Sequence, residues 1–130
     1  KIIIIPDRIY NVPVTKIDNR AFSSDQFEEV KLSKNVITIG DFAFSNCTNL
    51  TKIDFKYNVT NIGIYAFSGC TSLEQIIIPN SVKTIAEFAF NNCNNLKNVT
   101  YYGTKDEWNS IVNTTGNDYL TNAEISFIGD

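Results

Sequence analysis

The chain contains no histidine and no methionine among its 130 residues, and each absence excludes something. Without histidine the commonest metal ligand and the usual neutral-pH proton shuttle are missing. Without methionine there is no initiator, so the chain is expected to be an excised or processed segment of something longer. Positive charge is also scarce: 11 Lys and Arg against 14 Asp and Glu give a net charge of -3, where a nucleic-acid partner calls for a basic face. No apolar run approaches the roughly 20 residues of a membrane span. Pro6 follows Lys1 to Ile5 at once, so this start is not a signal peptide. Three cysteines are present, but none forms a C-x-x-C pair.

What is there is a period. Written in rows starting at Val36, Val59 and Val82, the chain repeats every 23 residues. Ile39, Ile62 and Ile85 align, then Ala43, Ala66 and Ala89, then Phe44, Phe67 and Phe90. Cys47, Cys70 and Cys93 follow, with Leu50, Leu73 and Leu96 behind them. The rows close on Ile53, Ile76 and Val99, then Phe55, Ile78 and Tyr101. A worn row begins at Val14, one residue short between Phe22 and Phe27 and without a cysteine. Ahead of it Ile3-Ile4-Ile5-Pro6 copies Ile76-Ile77-Ile78-Pro79, joined through a small insertion at Ile9 to Pro13.

Leu50-x-x-Ile53-x-Phe55 reads as an L-x-x-L-x-L strand. Alternation turns Ile53 and Phe55 inward and leaves Lys52, Asp54 and Lys56 outside. The Val-x-x-Ile step predicts a second short extended stretch, and Asp41 to Phe44 predicts a turn of helix or 3-10 helix. One coil cannot bury its own apolar face, so neighbouring coils and distinct caps are required. Thr104 and Glu107 form a capping box; Trp108, Ile111 and Val112 share one helix face; Ala123 to Ile128 alternates like a last strand. The expected domain is therefore 1–130 as one unit: a strand and turn over 1–13, four repeats over 14–103, and a C-terminal cap over 104–130. Trp108 is read as the core anchor of that cap, with a ligand-stacking platform as the alternative.

The row Ile62-Gly63-Ile64-Tyr65-Ala66-Phe67-Ser68-Gly69-Cys70-Thr71-Ser72-Leu73-Glu74-Gln75-Ile76-Ile77-Ile78-Pro79 resembles the BspA-type (Treponema pallidum type) leucine-rich repeat, whose pattern is roughly I-G-x-x-A-F-x-x-C-x-x-L-x-x-I-x-I-P. Tyr101-Tyr102-Gly103-Thr104 through Glu107-Trp108 resembles the tails of such domains. Ala86 departs from the glycine seen at Gly40 and Gly63, which points to a need for smallness rather than for positive φ. Asp18 and the missing cysteine mark the first full row as degenerate. The expected fold is α/β: a right-handed leucine-rich-repeat solenoid with a parallel β-sheet on its concave face, short helical or 3-10 turns opposite, and a helical cap. The resemblance implies a cell-surface or secreted protein of host-associated bacteria, adhering to host proteins, other cells or matrix. It carries no characteristic active site.

Candidate chemistry is thin beside this. The cysteines fall one per coil, about 5 Å apart, and read as small buried hydrophobes in one repeated slot. A disulfide between adjacent coils is conceivable, but would leave one thiol over; zinc lacks ligands. The acidic pairs Glu28-Glu29 and Asp106-Glu107 sit beside no nucleophile or base, so no catalytic residue, cofactor or metal is assigned. The Asn-x-Ser/Thr sequons at Asn46, Asn49, Asn58, Asn98 and Asn113 matter only in a eukaryotic source.

The outward face of the strand column remains. Its middle row is Ile4, Lys31, Asp54, Ile77 and Thr100. Glu29, Lys52, Gln75 and Asn98 flank it on one side, and Ser33, Lys56, Pro79 and Tyr102 on the other. Ile77 beside Pro79 and Tyr102 makes an apolar-aromatic spot in a polar rim, the composition of an interface hot spot. The expected partner-binding set is Lys31, Lys52, Asp54, Lys56, Gln75, Ile77, Pro79, Asn98, Thr100 and Tyr102, engaging a protein ligand such as a matrix or cell-surface protein, in a monomer. A structural spacer within a larger surface protein is the competing reading, and an enzyme a distant third.

Overall fold

A computed structural model describes all residues 1–130. In chain order the elements are β1 (Ile2–Ile4), β2 (Arg8–Ile9), β3 (Val12–Pro13), β4 (Lys16–Ile17), β5 (Glu29–Lys31), β6 (Thr38–Ile39) and β7 (Lys52–Asp54). They continue as β8 (Asn61–Ile62), β9 (Gln75–Ile78), β10 (Thr84–Ile85), β11 (Asn98–Tyr101), α1 (Lys105–Ile111), α2 (Asp118–Thr121) and β12 (Glu124–Phe127). They wind into a solenoid of about five turns. A broad sheet of six parallel strands, β1-β5-β7-β9-β11-β12, forms one wall, and a narrow parallel sheet, β10-β8-β6-β4, forms another.

The register follows from the period. Lys52, Ile53 and Asp54 pair with Gln75, Ile76 and Ile77, and these with Asn98, Val99 and Thr100. Side chains alternate across the sheet, so Val30, Ile53, Ile76 and Val99 fall inward together and all are buried. The aligned columns make one continuous core of 31 buried residues. The insertion at Ile9 to Pro13 is a β2-β3 hairpin whose central residues, Tyr10 and Asn11, both have positive φ (50° and 63°), the geometry of a type I′ turn.

The third wall differs from expectation. The stretch around Asp41 to Phe44 is neither helical nor 3-10; it is a chain of β-turns. Within one coil the amides of Ala43, Ser45 and Cys47 donate to the carbonyls of Gly40, Phe42 and Phe44. The intervening amides leave the coil: Phe42, Phe44 and Asn46 donate to Ile64, Ala66 and Ser68 of the next one, at 2.9, 2.8 and 2.7 Å. A helix keeps its amides within its own segment, so this alternation cannot be helical. It requires left-handed backbone at Phe42, Tyr65 and Phe88 (57°, 56° and 58°) and again at Asn46, Gly69 and Asn92. For a bulky residue that conformation costs roughly 1–2 kcal/mol. The same rings stack coil on coil, Phe42 on Tyr65 and Tyr65 on Phe88, both at 4.9 Å, with the Arg20 guanidinium 4.2 Å from the Phe42 ring centre. A second, buried ladder runs inside, Phe22-Phe44-Phe67-Phe90, at 5.4, 5.1 and 5.3 Å.

Gly40 and Gly63 do serve closeness rather than positive φ. A Cβ on Gly63 would lie 2.5 Å from Asp41 Oδ1, which accepts the Ile64 amide, and one on Gly40 would lie 2.6 Å from Asn19 Oδ1, which accepts the Asp41 amide. At Ala86 the preceding coil offers Ile64 in place of Asp or Asn, so no side-chain oxygen occupies the slot.

The cysteines are free and fully buried. Their column also bonds: the thiols of Cys47, Cys70 and Cys93 donate to the carbonyls of Phe22, Phe44 and Phe67 one coil back, at 3.2, 3.2 and 3.1 Å. Burial pushes the Cys93 thiol up to about 12.

At the C-terminus one segment closes all three walls. β12 adds to the broad sheet, Val112 bridges Ile85 at the narrow one, and the turn wall ends on Thr115 and Asn117. The Thr115 carbonyl accepts the Phe88 amide at 2.9 Å, and Asn117 Oδ1 accepts the Phe90 amide at 2.9 Å. Asn117, wholly buried, also donates through Nδ2 to the carbonyls of Ala86 and Asn113. Its side chain thus stands where the backbone of another coil would. Gly116 (φ 71°) closes the outer aromatic ladder; a Cβ there would come within 2.1 Å of the Phe88 ring. The capping box of α1 is present, with Thr104 and Glu107 each accepting the other's amide (3.1 and 3.0 Å). Trp108 is the buried anchor, its ring 5.2 Å from Tyr101 and 6.5 Å from Phe127.

Two outcomes follow. Asn117→Ala leaves the Phe90 amide and the Asn113 carbonyl unpaired at the cap and takes one of two hydrogen bonds from the Ala86 carbonyl. It is expected to cost about 3 kcal/mol in urea unfolding, whereas Asn109→Ala on exposed α1 costs under about 0.5. The cysteines should label only as the protein unfolds; rapid labelling of the native chain would contradict the packing. Because the folded Cys93 thiol titrates above its unfolded value, its contribution is complete below about pH 8.5. Stability should then fall as pH rises from there toward 12, by up to about 1.4 kcal/mol per pH unit, and less steeply in Cys93→Ala.

Candidate functional site

The outward side of the broad sheet carries the residues singled out above, in the rows expected. Ile4, Lys31, Asp54, Ile77 and Thr100 are successive register partners, and Ser126 of β12 extends the row. Glu29, Lys52, Gln75 and Asn98 form the flanking row, continued by Glu124. Lys31, Lys52, Gln75, Asn98 and Tyr102 are exposed, and Glu29, Asp54, Lys56, Ile77 and Thr100 are half-buried.

The third row departs from expectation, because it lies past the strands, where the chain turns. Pro79 is buried: its carbonyl accepts the Val82 amide at the turn that ends β9, so it forms groove floor rather than a protruding contact. Ser33 is buried too, and its Oγ has no hydrogen-bond partner. Neither is a free surface group.

Asp54 organises the centre. One carboxylate oxygen accepts the Lys56 amide at 3.0 Å, the i to i+2 bond of an Asx turn, and the other lies 3.7 Å from Lys56 Nζ. Lys56 is held at φ 60°, and the chain leaves the strand so that Tyr57 stands out, 78% exposed. A groove of about 510 Å³ results, lined by Asp54, Lys56, Tyr57, Ile77, Pro79, Asn80 and Tyr102. A smaller hollow of about 230 Å³ adjoins it over Glu29, Val30, Lys31, Lys52, Asp54 and Lys56. The two share Asp54 and Lys56.

Tyr57 and Asn80 were not singled out in the sequence, because they occupy a column that the repeat does not conserve in type: Tyr57, Asn80, Gly103. The available signal was an aromatic one residue beyond the Ile77-Pro79-Tyr102 spot. Gln75, Asn98 and Thr100 share the face but lie outside both hollows. No group of three or more Cys, Asp or Glu residues is placed to hold a metal ion, and no helix is long and apolar enough to cross a membrane.

A parallel solenoid with this repeat defines a leucine-rich repeat protein. The family of the BspA type leucine rich repeat region matches residues 15–128 in six copies, so its copies run on into the cap; the chain belongs to that family. Solved structures agree. A leucine-rich cell-surface protein of Faecalibacterium prausnitzii A2-165 is 33% identical over 85% of this chain and 34% of its own, with a TM-score of 0.62. A leucine-rich repeat protein of Bacteroides ovatus ATCC 8483 is 31% identical over 98% of this chain and 30% of its own, with a TM-score of 0.75. The leucine-rich repeat protein of T. pallidum is 28% identical over 76% of this chain and 57% of its own, with a TM-score of 0.53. The chain thus spans about a third of the length of the first two. No curated protein matches it.

Because the groove is built on side chains that project from the sheet, it should be separable from the fold. Tyr57→Ser and Tyr102→Ala are each expected to change unfolding free energy by less than about 1 kcal/mol in urea titrations. A larger loss would make these rings part of the core.

Proposed function

We propose that this chain is a protein-interaction module of a cell-surface or secreted bacterial protein, and that it serves adhesion to host or matrix proteins. The observation that carries this reading is the groove at Ile77. It lies on the broad sheet where the coils differ, Lys31, Asp54, Ile77 and Thr100 sharing one row. Core columns repeat because stacking demands it; outward positions are under no such demand, and a mere spacer has no use for an aromatic-walled hollow there. Tyrosine and isoleucine in a polar rim supply what a protein hot spot needs: rigid area, a desolvated centre and surrounding groups that exclude water. Membership of a family that includes a cell-surface protein supports the location. No constellation of base, nucleophile and oxyanion donor supports an enzymatic reading, and the module is read as a monomer.

The test is binding of the chain to a panel of purified extracellular-matrix and host-surface proteins by surface plasmon resonance. Ile77→Asp and Tyr102→Ala should each weaken binding at least tenfold while the melting temperature stays within a few degrees. Binding that survives both would place the site elsewhere. Absence of binding across the panel would favour the spacer role.

A further inference from the structure

We infer that the partner of this face is an extended, acidic polypeptide segment: a bulky apolar side chain seats over Ile77 between Tyr57 and Tyr102, and carboxylates a few residues along meet Lys31 and Lys52. The inference rests on reading the broad sheet as the interaction face, and it names the partner's chemistry.

Three features carry it. The first is continuity. The hollow over Ile77 and the one over Lys31 and Lys52 share Asp54 and Lys56, so an occupant of one runs into the other. From the β9 row to the β5 row is two strand steps, about 10 Å, which an extended chain covers in about three residues at roughly 3.3 Å each. Side chains on one side of an extended segment alternate, so anchor and acid fall two or four residues apart.

The second is which charges face outward. Lys31 and Lys52 are exposed, and neither has a carboxylate within ion-pairing distance. Glu29 and Asp54, directly opposite Lys52 and Lys31 in the sheet, are half-buried, and Asp54 is engaged by Lys56. Long lysine stems lift their ammonium groups above the shorter acids. An approaching partner therefore meets positive charge first.

The third is contrast. The chain as a whole carries -3. An acidic segment is drawn to this patch and repelled by the rest of the surface, which favours one docking position. The lysines also lie on one side of the anchor only. Toward β11 the face presents neutral Asn98 and Thr100, and beyond them the exposed carboxylate of Glu124 on β12, so the segment's acids must trail from the anchor toward β5.

The experiment is selection of displayed random 12-residue peptides on the intact chain, with counter-selection on Ile77→Asp. Enriched peptides should share a bulky apolar residue with Asp or Glu two or four positions away. Their affinity should fall with added salt, and fall at least tenfold on Lys31→Glu/Lys52→Glu, which should in turn prefer peptides with Lys in place of the acids. Peptides that need Ile77 but carry no acid, or ignore the charge reversal, would overturn this inference while leaving the interaction reading intact. If no peptide depends on Ile77, the reading itself falls. If a glycan array yields ligands displaced by Ile77→Asp where peptides do not, the partner is not a polypeptide.

Discussion

Backbone hydrogen bonding from one coil to the next, at a fixed step of 23 residues, is the constraint on which everything else depends. Of 76 backbone hydrogen bonds only 20 lie within regular strands and helices; many of the others join one coil to the next. Once the amides of the sheets and every second amide of the turn wall must find partners one coil away, identical side chains must stack. Stacked phenylalanines, an alanine small enough for close approach and a column of thiols are consequences of that step. The cost is local strain at Phe42, Tyr65 and Phe88, whose left-handed backbone the stacking of their own rings offsets.

The same constraint explains the ends. A coil with no successor would leave the Phe88 and Phe90 amides bare, and an unpaired buried amide costs as much as a lost hydrogen bond or more. The C-terminal segment meets that demand with mixed parts: a strand, a bridge, a carbonyl and the amide side chain of Asn117. Its helix is the least necessary piece, since α1 donates no ladder hydrogen bond and contributes chiefly Trp108 to the core.

Where the constraint is absent, the coils diverge, and function is read there. Outward residues of the broad sheet neither stack into the core nor complete the ladder. They are free to become a charged checkerboard at β5 and β7 and an apolar hollow at β9. Asp54 joins the two, because its carboxylate both folds the chain back at Lys56 and holds that residue's ammonium.

Much of this was legible in the sequence. The inward columns, the rows of the sheet face, the capping box and the burial of Trp108 follow from the period and from alternation, which are properties of a single chain read in register. Helical turns at Asp41 to Phe44 were a reasonable expectation from local pattern and were wrong, because left-handed backbone at an aromatic residue is imposed by a neighbouring coil and matches no local preference. Pro79 reads as an exposed contact until the turn after β9 buries it. Tyr57 carries no signal of its own until the Asx turn at Asp54 brings it to the groove over Ile77. Sequence by itself determined the repeat, its core and its family, since these rest on which side chains recur. Only tertiary structure decided the turn wall, the thiol hydrogen bonds, the role of Asn117 and the shape of the groove, because each depends on what another coil places beside a residue.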